Sequence, residues 1–303
     1  MKNTITVSLT TFGKFDISPI NILKDAGLEV KCNPFGRKIT SKEIIELASG
    51  SVGLIAGTED LDGRTLEALP DLKVISRCGA GLDNVDLNTA SRLGITVFNT
   101  PDAPTLAVAE LTIGLLFNLL RKVSQMDREI RKGLWQKRMG NLLHEKKVGI
   151  IGFGRIGRKV AELLKLLCCE ISYCDPFVDN GISGFRQLTL NELLCWADIV
   201  SIHVSSKDGI LGAGELGVMK PGAWLINVSR GKVVDETSLY NTLSSGYLSG
   251  AALDVFEHEP YTGILKDLDN VILTPHIGSY AKEARIKMEM EASENLLKGL
   301  KLS

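Results

Sequence analysis

Residues Lys147 to Val160 read K-V-G-I-I-G-F-G-R-I-G-R-K-V. Val148, Ile150 and Ile151 form an apolar run of strand type, and Ile156, Val160, Leu163 and Leu164 then recur at helical spacing. Between them Gly152, Gly154 and Gly157 stand at G-x-G-x-x-G spacing, which predicts a strand, a tight turn and a helix. Each glycine has its own reason. Gly152 permits the turn, Gly154 lets a pyrophosphate approach the backbone, and Gly157 lets the helix pack close on the strand. The phosphates would rest on the helix N-terminus, where unpaired N–H groups favour an anion. A second apolar run, Ile171 to Cys174, ends at Asp175, about 20 residues beyond the glycines, where a ribose-binding acid belongs. A carboxylate there accepts the 2′-hydroxyl and repels a 2′-phosphate, so the expected cofactor is NAD rather than NADP.

The fingerprint lies in the middle of a 303-residue chain, which leaves room for a substantial unit ahead of it and predicts two domains. A net charge of −1 provides no global attraction to nucleic acid or membrane, and 44% hydrophobic with 23% charged residues suits a soluble globular protein. Partners must therefore be read locally. The six cysteines, Cys32, Cys78, Cys168, Cys169, Cys174 and Cys195, include no C-x-x-C pair and no metal-type cluster with histidine. They read as buried reduced thiols of a cytoplasmic protein, with no metal expected. The opening M-K-N-T-I-T-V-S-L passes directly into a strand pattern without an export signal.

Upstream of the fingerprint the chain alternates strand and helix: Ile5 to Leu9, Ser18 to Ala26, Leu28 to Lys31, Ser41 to Ala48, Gly53 to Ala56 and Leu72 to Ser76. The last of these runs into R-C-G-A-G-L-D-N-V-D, Arg77 to Asp86. Its backbone N–H groups can cradle an anion beside Arg77. It can equally be a plain turn into a helix from Asp86 to Leu93, with Asn84 or Asp86 as N-cap and Gly94 as stop. Ala103 to Leu120 is the most apolar stretch, yet Glu110, Thr105, Thr112 and Asn118 make it a buried soluble helix. A helix apolar nearly all round needs cover on every side, which predicts a subunit interface. The basic segment from Arg121 to Lys147, with Trp135, reads as a solvated arm crossing between subunits.

Beyond the fingerprint come a helix at Asn191 to Trp196 and strands at Asp198 to Val204, Ala223 to Val228, Leu248 to Val255 and Val271 to Thr274. Asp235 caps a helix through Leu243, and Ala281 to Leu300 is a final helix that returns to the first domain. The nucleotide domain should hold about six strands in a doubly wound sheet. Ligands of such sheets bind beyond the carboxyl ends of the strands. Arg230, in N-V-S-R-G, Glu259, in D-V-F-E-H-E-P, and His276, in T-P-H-I-G, each follow one of these strands. An arginine, a carboxylate and a histidine there suit hydride transfer to a 2-oxo acid. Arginine clamps carboxylate and carbonyl, histidine moves the alcohol proton, and the acid orients the imidazole. His203 reads as a strand-end neighbour of the adenosine, His258 as a loop neighbour of Glu259, and His144 as part of the charged arm.

The motifs G-F-G-R-I-G-R with Asp175, N-V-S-R-G-K-V-V-D, A-A-L-D-V-F-E-H-E-P and N-V-I-L-T-P-H-I-G resemble those of the D-isomer-specific 2-hydroxyacid dehydrogenases, closest to the D-3-phosphoglycerate dehydrogenase branch. The likeness covers nearly the whole chain. It implies Arg230, Glu259 and His276 as catalytic residues, and Arg77, Cys78, Gly79, Ala80 and Gly81 as a substrate loop acting with Arg230 and His276. It also implies cofactor contacts at Gly152, Gly154, Arg155, Ile156, Gly157, Asp175, His203, Val204, Val228, Ser229, Asp254 and Gly278, with Asp254 against the nicotinamide amide. A homodimer is expected from the same likeness. Two departures stand out: H-V-S-S-K-D-G lacks the usual proline, and A-G-T-E follows the Gly53 strand where a phosphate-binding arginine is usual.

The expectation is an α/β protein of two doubly wound parallel sheets, a Rossmann-type NAD domain inserted into a flavodoxin-like substrate domain. Residues 1–98 and 278–303 would form the discontinuous substrate domain, and 99–277 the dinucleotide domain with its dimerisation helix and arm. Its function would be NAD-dependent oxidation or reduction of a D-2-hydroxy acid, with 3-phosphoglycerate the leading candidate. An NAD(H)-sensing corepressor or scaffold is the alternative, and formate dehydrogenase a second one that Glu259, in place of glutamine, argues against.

Overall fold

The computed structural model describes residues 3–178, 184–206 and 208–302, so Lys207 of the short H-V-S-S-K-D-G loop and the initial Met1 and Lys2 lie outside the described residues. The chain divides into two compact units, Met1–Pro104 with Ser279–Ser303, and Thr105–Gly278.

In the smaller unit the strands are β1 (Thr4–Val7), β2 (Glu29–Cys32), β3 (Gly53–Ala56), β4 (Val74–Arg77) and β5 (Thr96–Asn99). Its helices are α1 (Ser18–Asp25), α2 (Ser41–Ala48), α3 (Gly63–Glu67) and α4 (Leu87–Arg92), and the chain's last helix, α11 (Lys282–Gly299), returns to it. All pairings are parallel in the order β2-β1-β3-β4-β5, the flavodoxin-like order. Alternation along the strands divides the core. Leu54, Ala56 and Ile75 pack with Ile44, Leu66 and Ala90 of α2, α3 and α4, whereas Ile5, Val7, Ile55 and Val74 pack with Leu23 of α1 and Met288, Ala292 and Leu296 of α11. Asp86, not Asn84, caps α4, accepting from Thr89 N at 3.0 Å.

The larger unit begins with α5 (Thr105–Arg121) and α6 (Val123–Arg131). It continues through β6 (Lys147–Ile151), α7 (Arg155–Leu166), β7 (Glu170–Cys174), β8 (Arg186–Gln187), α8 (Leu190–Trp196) and β9 (Ile199–Ile202). After α9 (Ala213–Val218) come β10 (Trp224–Asn227), α10 (Glu236–Ser244), β11 (Gly250–Leu253) and β12 (Val271–Leu273). The sheet is parallel in the order β12-β11-β10-β9-β6-β7-β8, a Rossmann order extended by one strand. It thus has seven strands where the sequence suggests about six; β8, with two residues, is too short to show a period. One face carries α5 and α7 through Val108, Leu116, Val160 and Leu164, and the other carries α8, α9 and α10 through Leu193, Leu216 and Leu239. Within the basic segment read as an arm, Val123–Arg131 is helical, braced by an Asp127–Arg131 pair one turn apart.

Candidate active site

β10, β11 and β12 are adjacent and parallel, so the residues that follow them emerge side by side at one edge of the sheet. Neighbouring strands lie about 5 Å apart, close enough for their loops to share one ligand. Asn227, the last residue of β10, shapes the Arg230 turn. Its Oδ1 accepts from Ser229 N at 3.0 Å and Ser229 Oγ at 2.8 Å, and its Nδ2 donates to Arg230 O at 2.9 Å. A β-carbon on Gly231 would lie 1.9 Å from the Phe256 carbonyl carbon. Only glycine lets the Arg230 turn press against the loop that carries Glu259.

That second loop is fixed from several sides. Glu236 Oε1 accepts from Glu257 N at 2.9 Å, the Phe256 and Tyr261 rings stack at 4.2 Å, and Glu259 Oε1 accepts from Phe256 N at 3.1 Å. The other oxygen, Glu259 Oε2, lies 2.9 Å from His276 Nδ1. Both side chains remain partly open to solvent, 50% for His276 and 37% for Glu259, so a small substrate can reach them.

His276 stands on a left-handed backbone, φ +53°, which costs a non-glycine residue free energy and is held only where its surroundings insist. Asp254 supplies the restraint. Its Oδ1 accepts from Thr274 Oγ1 at 2.6 Å and Ile277 N at 2.8 Å, and its Oδ2 accepts from Gly278 N at 2.8 Å. The side chain is 1% exposed. Burial pushes its carboxyl up, while these donors and the charge of His276 pull it down. The structure therefore places Asp254 beneath the histidine loop, gripping both sides of His276.

At the glycine turn, Gly152 and Gly157 meet the steric conditions read from their spacing. Gly152 has φ +89°, and a β-carbon there would lie 2.7 Å from the carbonyl carbon of His203 and 2.9 Å from Val204. On Gly157 a β-carbon would meet the Gly152 carbonyl oxygen at 2.1 Å. Gly154 differs: nothing lies within 4 Å of its β-position, and no side chain caps α7. Open space above an uncapped helix N-terminus fits a pyrophosphate, with Arg155, Ile156 and Gly157 in its first turn. Asp175 stands at the end of β7, where its Oδ2 accepts from Phe153 N at 2.7 Å and its Oδ1 from Phe177 N at 2.9 Å. Phe153 is a core peg stacked on Tyr173 at 4.0 Å, which the G-F-G spacing does not reveal. His203 places Nε2 2.8 Å from Ser201 Oγ, has no partner at its buried Nδ1, and is pushed by burial down to about 3. Val228 and Ser229 are buried, and Gly278 is within reach of Val108, its β-position 3.3 Å away.

In the smaller unit, Arg77 to Gly81 leaves the end of β4. Gly79 N donates to Thr100 Oγ1 at 2.7 Å, and Asn99 Nδ2 donates to Ala80 O at 2.6 Å. The Arg77 guanidinium folds over Gly79 and donates from Nη1 to Cys78 O at 3.1 Å; no side chain at position 79 would leave it room. The Cys78 side chain is buried in the core, and burial pushes its thiol up to about 12, so only its backbone can meet a ligand. Among the described residues no group of three or more His, Cys, Asp and Glu could hold a metal ion, and no helix is long and apolar enough to cross a membrane.

Residues 113–278 match the family model described as D-isomer specific 2-hydroxyacid dehydrogenase, NAD binding domain. The chain is 35% identical over 295 residues to the D-3-phosphoglycerate dehydrogenase of Archaeoglobus fulgidus, covering 93% of this chain and 55% of that protein. It therefore spans about half the length of the curated phosphoglycerate dehydrogenases it matches first. It is 39% identical over 257 residues to the glyoxylate reductase of Thermococcus litoralis, covering 79% of this chain and 77% of that protein. The crystal structure of the TT0316 protein of Thermus thermophilus superposes with a TM-score of 0.90 at 35% identity, covering 98% of this chain and 97% of that one. The match runs through the glycine fingerprint and all three strand ends, and on it the chain belongs to the D-isomer specific 2-hydroxyacid dehydrogenase family.

Proposed function

We propose that this protein interconverts a D-2-hydroxy acid and its 2-oxo acid with NAD(H). The observation that carries this reading is the His276–Glu259 pair, 2.9 Å between Nδ1 and Oε2, on the loops that follow two adjacent strands. With Nδ1–H committed to Glu259, Nε2 is the nitrogen that exchanges a proton with substrate, giving it to the carbonyl oxygen in reduction and taking it from the hydroxyl in oxidation. Arg230 clamps the substrate carboxylate and polarises the carbonyl through paired N–H donors. When bound at the Gly154 turn, the nicotinamide dinucleotide supplies or accepts the hydride. Gly152, Gly154, Arg155, Ile156 and Gly157 would hold its pyrophosphate, Asp175 its ribose hydroxyls, and His203, Val204, Val228, Ser229, Asp254 and Gly278 would line its path. The loop from Arg77 to Gly81 is proposed as a further substrate element in the smaller unit. Relatives named for phosphoglycerate and for glyoxylate both support the class of acid.

We also infer a homodimer through α5. Leu106 is 53% exposed and Phe117 42%, and Trp135 and Met139, past α6, are more exposed still.

A panel of 2-oxo acids with NADH, followed by loss of NADH absorbance, tests the activity. His276→Ala should lower kcat by about 10²-fold to 10⁴-fold, the usual contribution of a general acid, while NADH binding measured by fluorescence holds. If the intact protein binds NADH yet reduces no 2-oxo acid, the dehydrogenase reading fails and a nucleotide-sensing role takes its place.

A further inference from the structure

In a doubly wound sheet the ligand crevice opens where neighbouring strands send their loops in opposite directions, and in the order β2-β1-β3-β4-β5 that point lies between β1 and β3. Ser8 follows β1 and Gly57 follows β3. Together they present an anion nest of one hydroxyl and one backbone N–H. The nest is already filled from within the chain. Glu59 Oε1 accepts from Ser8 Oγ at 2.5 Å, and Gly57 N donates to Ser8 Oγ at 2.9 Å and to both carboxylate oxygens, at 3.1 and 3.0 Å. The Glu59 side chain is 2% exposed, and a β-carbon on Gly57 would crowd its Oε2 at 3.1 Å.

The loop that carries Glu59 is stiff. Asn84 Nδ2 donates to Glu59 O at 2.6 Å and to Gly57 O at 3.2 Å. Leu61 N donates to Asn84 O at 2.8 Å, and Asp86 N returns a bond to Leu61 O at 2.9 Å. This seam fixes the backbone from which the Glu59 side chain reaches Ser8 and Gly57. Its neighbour Asp60 is exposed and adds a second negative group at the same strand end.

We propose that Glu59 is a specificity-determining residue: by occupying the donors of the smaller unit's ligand crevice with a carboxylate, it selects a 2-oxo acid without a distal phosphate. A phosphate entering there would find the Ser8 hydroxyl and Gly57 N–H already taken by a carboxyl group whose ionised form repels it; burial pushes that carboxyl up, and the Ser8 and Gly57 donors and the charge of Arg77 pull it down. This rests on the dehydrogenase reading above.

Hydroxypyruvate and 3-phosphohydroxypyruvate differ only in the phosphate and make the matched pair for the test, with NADH as reductant. The unmodified protein should favour hydroxypyruvate in kcat/KM by about 10²-fold, the scale of forced like-charge contact. Glu59→Ala removes the carboxyl group and frees the Ser8 hydroxyl, the Gly57 N–H keeping its bond to Ser8 Oγ at 2.9 Å, and should narrow that ratio by about 10-fold or more, chiefly through KM for the phosphorylated acid. Glu59→Gln keeps the donors occupied but removes the charge, so it should narrow the ratio less. If Glu59→Ala does not fold, the unmodified protein and Glu59→Gln still decide. Preference of the unmodified protein for the phosphorylated acid, or an unchanged ratio in variants that melt normally, overturns the role of Glu59 and leaves the dehydrogenase reading intact. Failure to reduce any 2-oxo acid of the panel, with NADH bound, removes both.

Discussion

Asp254→Asn should cripple turnover without touching any reacting atom of the proposed mechanism. The carboxylate accepts from Thr274 Oγ1, Ile277 N and Gly278 N, all within 2.8 Å, and it does so at 1% exposure. An asparagine has one accepting oxygen. If that oxygen stays with Thr274 and Ile277, its amide N–H₂ faces the Gly278 N–H, two donors with nothing between them. A buried unsatisfied N–H costs about 1–3 kcal/mol, and the lost charge weakens the remaining bonds. The left-handed residue between these anchors, His276 at φ +53°, is itself disfavoured by about 1–3 kcal/mol, so the loop has reason to relax once an anchor goes. A relaxation of about 1 Å at a catalytic group is enough to lower the rate about 10²-fold. Stopped-flow and steady-state reduction of the best 2-oxo acid should show kcat reduced by about 10-fold to 10²-fold. Chemical denaturation should show the variant less stable by about 2–4 kcal/mol. Thr274→Val, which removes only the hydroxyl donor, should show a smaller loss of the same kind. An Asp254→Asn protein with unaltered kcat and unaltered stability would refute the idea that this carboxylate holds the histidine loop in place.

Three further outcomes follow from the geometry. His203, held neutral with a value of about 3 against an ordinary imidazole near 6.5, binds no proton in the folded state while the unfolded chain does. Acidification below about pH 6.5 should therefore cost up to ~1.4 kcal/mol per pH unit, and urea titrations of His203→Gln should show a shallower decline between pH 6.5 and 4.5. Asp175 at the end of β7 should make NADH the better cofactor by about 10²-fold in kcat/KM, and Asp175→Ser should narrow the gap; equal efficiency with NADPH in the unmodified protein counts against that role. Light scattering at micromolar concentration should report twice the chain mass, and Phe117→Glu on α5 should shift it to one; a fully active monomer would exclude the proposed dimer.

Much of the fold can be read from the sequence because its signals are steric and local. The Gly152–Gly154–Gly157 turn is legible since each glycine answers a separate contact: a crossing strand, an open approach and a helix pressed on a carbonyl. Short buried strands such as Gly53–Ala56 are legible as apolar runs between turn residues. The strand Thr96–Asn99 is not picked out in the sequence, and Arg186–Gln187 escapes because two residues carry no period. Helix α6 is hidden by its charges. Its regularity rests on the Asp127–Arg131 pair and on Asn118 Oδ1 accepting from Ser124 N at 2.8 Å, and a basic segment does not announce either.

The chemistry divides along the same line. Arg230, Glu259 and His276 can be picked out because parallel strands deliver their following residues to one edge, and that rule needs only the strand positions. What holds them can be seen only after the strands are paired. Asp254 follows β11 and grips the loop after β12, Gly231 matters because the Phe256 backbone passes where its side chain would be, and Asn84 closes the loop of Glu59 across a gap in sequence. Each of these is a contact between neighbouring strand ends, so its meaning depends on sheet order rather than on spacing along the chain. A variant that keeps all three proposed catalytic side chains should therefore still lose the proposed reaction, through a glycine, an asparagine or a buried aspartate that no motif marks as chemical.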